Sequence, residues 1–216
     1  MTTVLCFLVT ALLSYGLCCV NGALTISRLV YREDVRKKGS GNAGLTNFIR
    51  VYGTKAAAFV ILLDVMKTLV AVLFSQWLFG RFVGDARLGA YWAGLWTTTG
   101  HSYPCTSGFR GGKGILCGGT LLAILDWRIA VIGFGLFFAA VLLTRYVSLG
   151  SILATISYPV STALFFSAEP NFLWLMILST VVAASVIWSH RANIVRLVRG
   201  TENKFTLRRK EKSYEA

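Results

Sequence analysis

Lys113 stands between Gly112 and Gly114 at the end of GFRGGKG, residues 108–114, with Arg110 three positions before it. Flexible backbone and clustered cations in one short loop suit an anion, most often a phosphate. The loop closes a longer polar stretch, GHSYPCTSGFRGGKG, residues 100–114, which also carries His101 and Gly111. Two more donor-rich stretches accompany it. GSGNAGLTNFIR, residues 39–50, offers Ser40, Gly41, Asn42, Thr46, Asn47 and Arg50, with a helix start expected at Thr46. Its hydroxyls, amides and backbone N–H groups read as a cradle for an anion or a sugar alcohol. HRANIVRLVRGTEN, residues 190–203, brings His190, Asn193 and Arg196 at helical spacing, with Glu202 beyond Gly200.

Several chemistries are excluded by the same residues. A Walker A loop needs glycine at position 107 and Ser or Thr after Gly-Lys, where this chain has Ser107 and Gly114; no nucleotide is implied. Cys6, Cys18, Cys19, Cys105 and Cys117 form no CxxC pair, so they read as free thiols, with no zinc site and no disulfide framework. No Ser-His-Asp set is apparent, and no metal or cofactor is expected. Taken singly, each polar cluster also fits a basic or glycine-rich turn.

What positions these clusters is a membrane. Of 216 residues, 55% are hydrophobic and 14% charged, and the mean hydropathy is +0.63. Residues 1–27, 88–109, 129–144, 146–168 and 170–190 contain no Lys, Arg, Asp or Glu. Several reach the roughly 20 residues that a spanning helix needs. The expected fold is an all-α integral membrane protein of seven transmembrane helices. Spans are expected at the N-terminus, at 55–80, 88–103, 129–144, 150–168 and 171–189, with a short or re-entrant segment at 114–125. The first span lacks a basic n-region and is followed by Arg28, Arg32, Arg36, Lys37 and Lys38, so it reads as retained with the N-terminus outside. That threading puts 18 Lys and Arg on the cytoplasmic side and only Arg81, Arg87 and Arg128 opposite. The net charge of +13 thus belongs mainly to one membrane face, where part of it serves topology and anionic lipid. One membrane domain is expected over 1–205, with a polar cytoplasmic tail at 206–216. Asp64 and Lys67, three apart inside an apolar span, share a helix face and can neutralise each other; an ion pair bracing the bundle and a direct role both fit.

Four separated motifs, GSGNxGxTNxxR, GHxxPxxxxFxGGKG, a YVSLGSI turn around Arg145 and Ser148, and HRxNIxRLxxGTE, resemble the bacterial acyl-phosphate:glycerol-3-phosphate acyltransferases in order and gaps. Asp64-Val-Met-Lys67 is similar to that family's DxxK. The resemblance runs from about Arg32 to Phe205. The chain departs from the family at CCVNGA in the first span, at Thr68, and at Ile115-Leu116-Cys117 after GGKG.

The resemblance implies transfer of a fatty acyl group from acyl phosphate to the 1-hydroxyl of sn-glycerol 3-phosphate, yielding 1-acyl-sn-glycerol 3-phosphate and phosphate. This is the first acylation of bacterial phospholipid synthesis. The site would lie at the cytoplasmic face of the bacterial inner membrane, among membrane lipids, and a soluble enzyme would supply acyl phosphate; no nucleic acid is involved. Ser40, Lys113, His190 and Asn193 are the expected catalytic residues. Gly41, Asn42, Thr46, Asn47, Arg50, His101, Gly111, Gly112, Gly114, Arg145 and Ser148 are the expected substrate binders. Asp64, Lys67 and Glu202 are the expected supports, Glu202 through Arg196 or Arg199. The proton acceptor is a substrate phosphate or else His101 or His190. The HxxxxD pattern of the other large glycerolipid acyltransferase class is absent, since Thr106 and Val195 stand five residues after the two histidines. A transporter for an organic phosphate would more often show two related halves and a site at the bilayer midplane.

Overall fold

A computed structural model describes residues 1–205; the polar tail expected at 206–216 lies outside the described residues. The chain is all-helical there: α1 (Thr2–Cys18), α2 (Gly22–Tyr31), α3 (Leu45–Tyr52), α4 (Ala57–Phe82), α5 (Ala86–Ser102), α6 (Ile115–Leu125), α7 (Trp127–Thr144), α8 (Val147–Phe166), α9 (Phe172–Ser189) and α10 (Arg191–Val198). Among the described residues, five helical stretches are long and apolar enough to cross a membrane: α1 with α2, α4, α7, α8 and α9. Two expected spans fall short of that length, α5 at 17 residues and α6 at 11 residues.

α1, α4 and α5 pack together, α9 joins α5 to α8, and α7 lies against α8. The short α6 is lodged among α4, α5 and α7. Close helix approach relies on small residues, as in membrane bundles generally. A Cβ on Gly100 would sit 2.5 Å from the Tyr15 carbonyl, and one on Gly150 would sit 2.7 Å from that of Phe137. Tyr91, Phe79, Leu121, Ile129 and Leu175 fill the main core. Large apolar side chains such as Leu12, Trp77, Leu142 and Leu164 face outward, which suits a lipid surround.

The first span is not one continuous helix. It breaks at Cys19–Asn21, where Asn21 caps the start of α2 and is the one polar mark in the charge-free run near the break. A break in a bilayer leaves backbone groups that water cannot satisfy, and α4 supplies the partners. Asp64 Oδ1 accepts from Gly22 N at 3.0 Å. Lys67 Nζ donates to the carbonyls of Val20 at 2.6 Å and Cys18 at 3.3 Å. The two side chains pair at 2.7 Å, so one carboxylate caps the start of α2 while its partner cation caps the end of α1. Asn21 Oδ1 accepts from Leu24 N, and its Nδ2 donates to Ala43 O at 2.9 Å. Thr106 Oγ1 donates to Cys19 O. The break is thereby bolted to both glycine-rich loops. All five cysteines are free, with Cys19 and Cys105 Sγ 3.7 Å apart.

Candidate functional site

The glycine-rich loops and the C-terminal stretch converge at one end of the bundle, around a cavity of about 900 Å³. α3 shows how the sequence builds its wall. Leu45, Phe48, Ile49 and Tyr52 recur at helical spacing and pack against Leu24, Val35 and Val60, which turns Thr46 and Arg50 toward the cavity. Arg36, just before the first loop, ties that segment to the second loop, donating from Nη1 to the carbonyls of Ser107 at 2.8 Å and Arg110 at 3.0 Å. Asp34 holds that guanidinium at 2.7 Å, and the guanidinium in turn keeps the Asp34 carboxyl well below the usual range.

Three helices begin at the cavity. Gly44, Gly114 and Tyr146 precede α3, α6 and α8, and none provides a side-chain cap. Residues of all three first turns line the cavity. Uncapped first turns present free N–H groups and the positive ends of helix dipoles. Gly114 sits at φ +79°, a left-handed conformation that glycine reaches without strain.

Lys113 enters the cavity from the second loop and donates to Asn193 Oδ1. Asn193 Nδ2 donates to Glu202 Oε1 at 2.9 Å, and Arg196 Nε donates to Glu202 Oε2 at 2.8 Å. Of the two arginines expected near Glu202, Arg196 is therefore the partner. Burial pushes the Lys113 ammonium down to about 8; Glu202 works against that shift, while Arg196 and Arg50 add to it. His190, 2% exposed, ends α9. Its Nδ1 lies 2.8 Å from Val186 O, and a carbonyl can only accept, so Nδ1 carries the proton and Nε2 is bare. Burial holds this imidazole down at about 4, partly offset by that hydrogen bond. Ser148 lies at the start of α8, and its buried hydroxyl has no partner among the described residues. Asn42 and Thr46 line the cavity half-buried, and Ser40 lies exposed on its rim.

Other expected binders are engaged in the framework, although Asn47 and His101 also line the cavity. Gly111 N donates to Ser102 O and Gly112 N to His101 O, so neither N–H is free for an anion. A Cβ on Gly112 would lie 2.2 Å from His101 Nε2 and 2.8 Å from Ala43 O. These glycines let the second loop seat against α5 and the first loop. Asn47 donates to the carbonyls of Val35, Lys38 and Asn42 and accepts from Ser40 N at 2.7 Å; its amide shapes the first loop. Gly41, at φ +75°, donates its N–H to Lys38 O and serves that turn. His101, 3% exposed, has its Nδ1 3.1 Å from Lys67 Nζ and 3.6 Å from Asp64 Oδ1. It belongs to the clamp on the broken helix as much as to the cavity. Arg145 does not line the cavity: it ends α7 at φ +63° with an exposed side chain, and its carbonyl accepts from Phe205 N at 2.8 Å. Asn203 and Phe205, which line the cavity, were missed because nothing local marks them out.

The sequence profile of the glycerol-3-phosphate acyltransferase family matches residues 8–200. This chain belongs to that family. Among its relatives, the glycerol-3-phosphate acyltransferase of Thermoanaerobacter pseudethanolicus is 37% identical over 195 residues, covering 90% of this chain and 93% of the relative. That of Clostridioides difficile is 36% identical over 200 residues, covering 92% and 95%. The crystal structure of PlsY, an integral membrane glycerol 3-phosphate acyltransferase, in its glycerol 3-phosphate form superposes with a TM-score of 0.79. It is 32% identical, over 93% of this chain and 96% of that one. Its lysophosphatidic acid form gives 0.76 at 30% identity. The acyltransferase is thus an integral membrane protein, as its apolar helices require.

Proposed function

We propose that this enzyme moves a fatty acyl group from acyl phosphate to the 1-hydroxyl of sn-glycerol 3-phosphate, releasing 1-acyl-sn-glycerol 3-phosphate and inorganic phosphate. One observation carries the reading. A single cavity joins a cationic mouth, ringed by three uncapped helix N-termini and Lys113, to an apolar body between α6, α7, α8 and α9. The mouth suits two phosphates and the body suits an acyl chain.

The hydroxyl oxygen bonds to the acyl carbonyl carbon, and the bond from that carbon to the phosphate oxygen breaks. Phosphate leaves with the electron pair, and a phosphate oxygen takes the hydroxyl proton. A mixed anhydride carries a good leaving group, so holding the partners in place and stabilising charge supply most of the catalysis. Lys113, held by Asn193, places its charge on the transferring group. Neutral His190 accepts a hydrogen bond at Nε2 from the attacking hydroxyl and orients it; at about 4 it is a weak base, which favours the substrate as proton acceptor. Ser40, Asn42, Thr46, Arg50, Ser148 and the N–H groups after Gly44, Gly114 and Tyr146 hold the two phosphates. Asp64, Lys67, His101, Gly111, Gly112, Gly41, Asn47 and Glu202 keep the loops in place, and Arg145 anchors the tail segment.

The charge bias supports seven crossings with the N-terminus outside and the site on the cytoplasmic face of a bacterial inner membrane. A soluble enzyme would deliver acyl phosphate from that side. The deciding experiment gives purified protein labelled glycerol 3-phosphate with acyl phosphate, acyl-CoA or acyl carrier protein. Product from acyl phosphate alone is expected; turnover with either thioester and none with acyl phosphate would overturn the donor.

A further inference from the structure

The cavity has a definite depth. Its lining runs on α6 from Gly114 to Ile124, and on α8 from Val147 to Tyr158. These are steps of ten and eleven positions, about 15 and about 17 Å at the α-helical rise. Two helices therefore give nearly the same depth. It is about half of the ~30 Å hydrocarbon core of a bilayer, the length of an acyl chain that fills one leaflet.

Tyr158 closes the α8 side at that depth. It is 3% exposed, and its ring lies 5.5 Å from that of Tyr91, centroid to centroid. Tyr91 has its hydroxyl paired with Thr162 Oγ1 at 2.8 Å. The Tyr158 hydroxyl has no partner among the described residues. A buried hydroxyl without a partner is costly, and here it stands at the far end of a mainly apolar channel. α8 itself carries the lining face through Ser148, Ser151, Ala154, Thr155 and Tyr158, at the spacing of one helical side. The same helix thus holds a phosphate-end hydroxyl and a chain-end ring at a fixed separation.

We infer that Tyr158 is the floor of the acyl-chain site and sets the longest chain the enzyme uses efficiently. This rests on the acyl-transfer reading of the cavity. A chain of leaflet length ends above the ring. A longer one must displace the ring from Tyr91 or press its methyl end against the unpaired hydroxyl. Ala154, six positions below Ser148 and so about 9 Å down, is the matching point on the wall where added bulk would shorten the channel.

The test is a profile of kcat/KM over saturated acyl phosphates of graded length, for wild type, Tyr158→Leu, Tyr158→Phe and Ala154→Leu. Tyr158→Leu is expected to raise the long-to-short ratio about tenfold, and Ala154→Leu to lower it by a similar factor, the discrimination that one buried methylene commands. Tyr158→Phe keeps the floor and should leave the optimum length in place. Unmoved profiles in active Tyr158→Leu and Ala154→Leu proteins would overturn the ruler. An Ala154→Leu shift without one from Tyr158→Leu would also overturn it, by placing the limit elsewhere. If wild type transfers from no acyl phosphate of any length, the underlying reaction assignment fails instead.

Discussion

Lys113 donates to Oδ1 of Asn193, 80 residues further along the chain, and the same amide donates through Nδ2 to Glu202. An asparagine between a cation and a carboxylate fixes its own orientation, because Oδ1 can only accept and Nδ2 can only donate. It stands between Lys113 and Glu202, a residue that also lines the cavity; it takes up one carboxylate oxygen and passes on the positioning effect. A carboxylate directly beside the substrate phosphates would repel them.

Glu202→Ala is therefore expected to lower the rate about tenfold to a hundredfold, as a lost charge-assisted hydrogen bond of about 1.5–3 kcal/mol would. Glu202→Gln keeps an acceptor for Asn193 but weakens the hold on Arg196, and should lose less. Initial rates at matched expression check this. A Glu202→Ala protein with a wild-type rate would show that the relay positions nothing.

The pH profile of kcat/KM should fall on its alkaline side near pH 8, where Lys113 loses its proton in the free enzyme. Lys113→Arg should keep some activity and lose that limb, because a guanidinium stays charged. Stability moves the other way. Burial disfavours the folded ammonium, so its cost is full below about pH 8, where both states hold the proton. The cost fades between about 8 and the unfolded value of 10.5, as only the unfolded chain remains charged. An alkaline limb unchanged in Lys113→Arg would assign it to another group.

Lys67→Met should destabilise the protein in detergent by about 3–5 kcal/mol, the range for removing one partner of a buried ion pair. Asp64→Leu with Lys67→Met should not restore stability, although paired apolar replacements often do. Here the pair also satisfies Gly22 N–H and the Cys18 and Val20 carbonyls at the helix break. Thermal unfolding of both variants decides it; full rescue in the double variant would mean the break needs no caps.

The motifs were legible because loop chemistry is local: glycines, amides and cations crowd into three short stretches, and the structure brings all three to one cavity. The membrane character was legible too, since long uncharged runs admit few alternatives. Partnership was not legible. Asn47 and Asn193 are both asparagines in polar motifs, yet one shapes a turn and the other steadies a lysine. Only the fold reveals that Asn47 faces three carbonyls, those of Val35, Lys38 and Asn42, in the turn leading into its helix. The break in the first span escaped because Asn21 is its sole local marker, and its caps come from Asp64 and Lys67 on another helix. Gly111 and Gly112 looked like anion donors, but their N–H groups already serve the end of α5.

That last distinction gives a sharp pair of substitutions. Lys113→Ala removes a charge from the cavity mouth but no backbone contact, so it should cut transfer about tenfold to a hundredfold while thermal stability stays near wild type. Gly112→Ala places a methyl group 2.2 Å from His101 Nε2 and 2.8 Å from Ala43 O. The His101 ring is held beside Lys67 and Asp64 and cannot swing away freely, so the loop must lift from the clamp. Gly112→Ala should therefore lose activity and thermal stability together, with overpacking costs of about 1–3 kcal/mol. Melting curves in detergent beside initial rates separate the two roles. A Gly112→Ala protein of normal stability but impaired glycerol 3-phosphate binding would return that glycine to the anion site. A Lys113→Ala protein with normal kinetics for both substrates would remove the lysine from it.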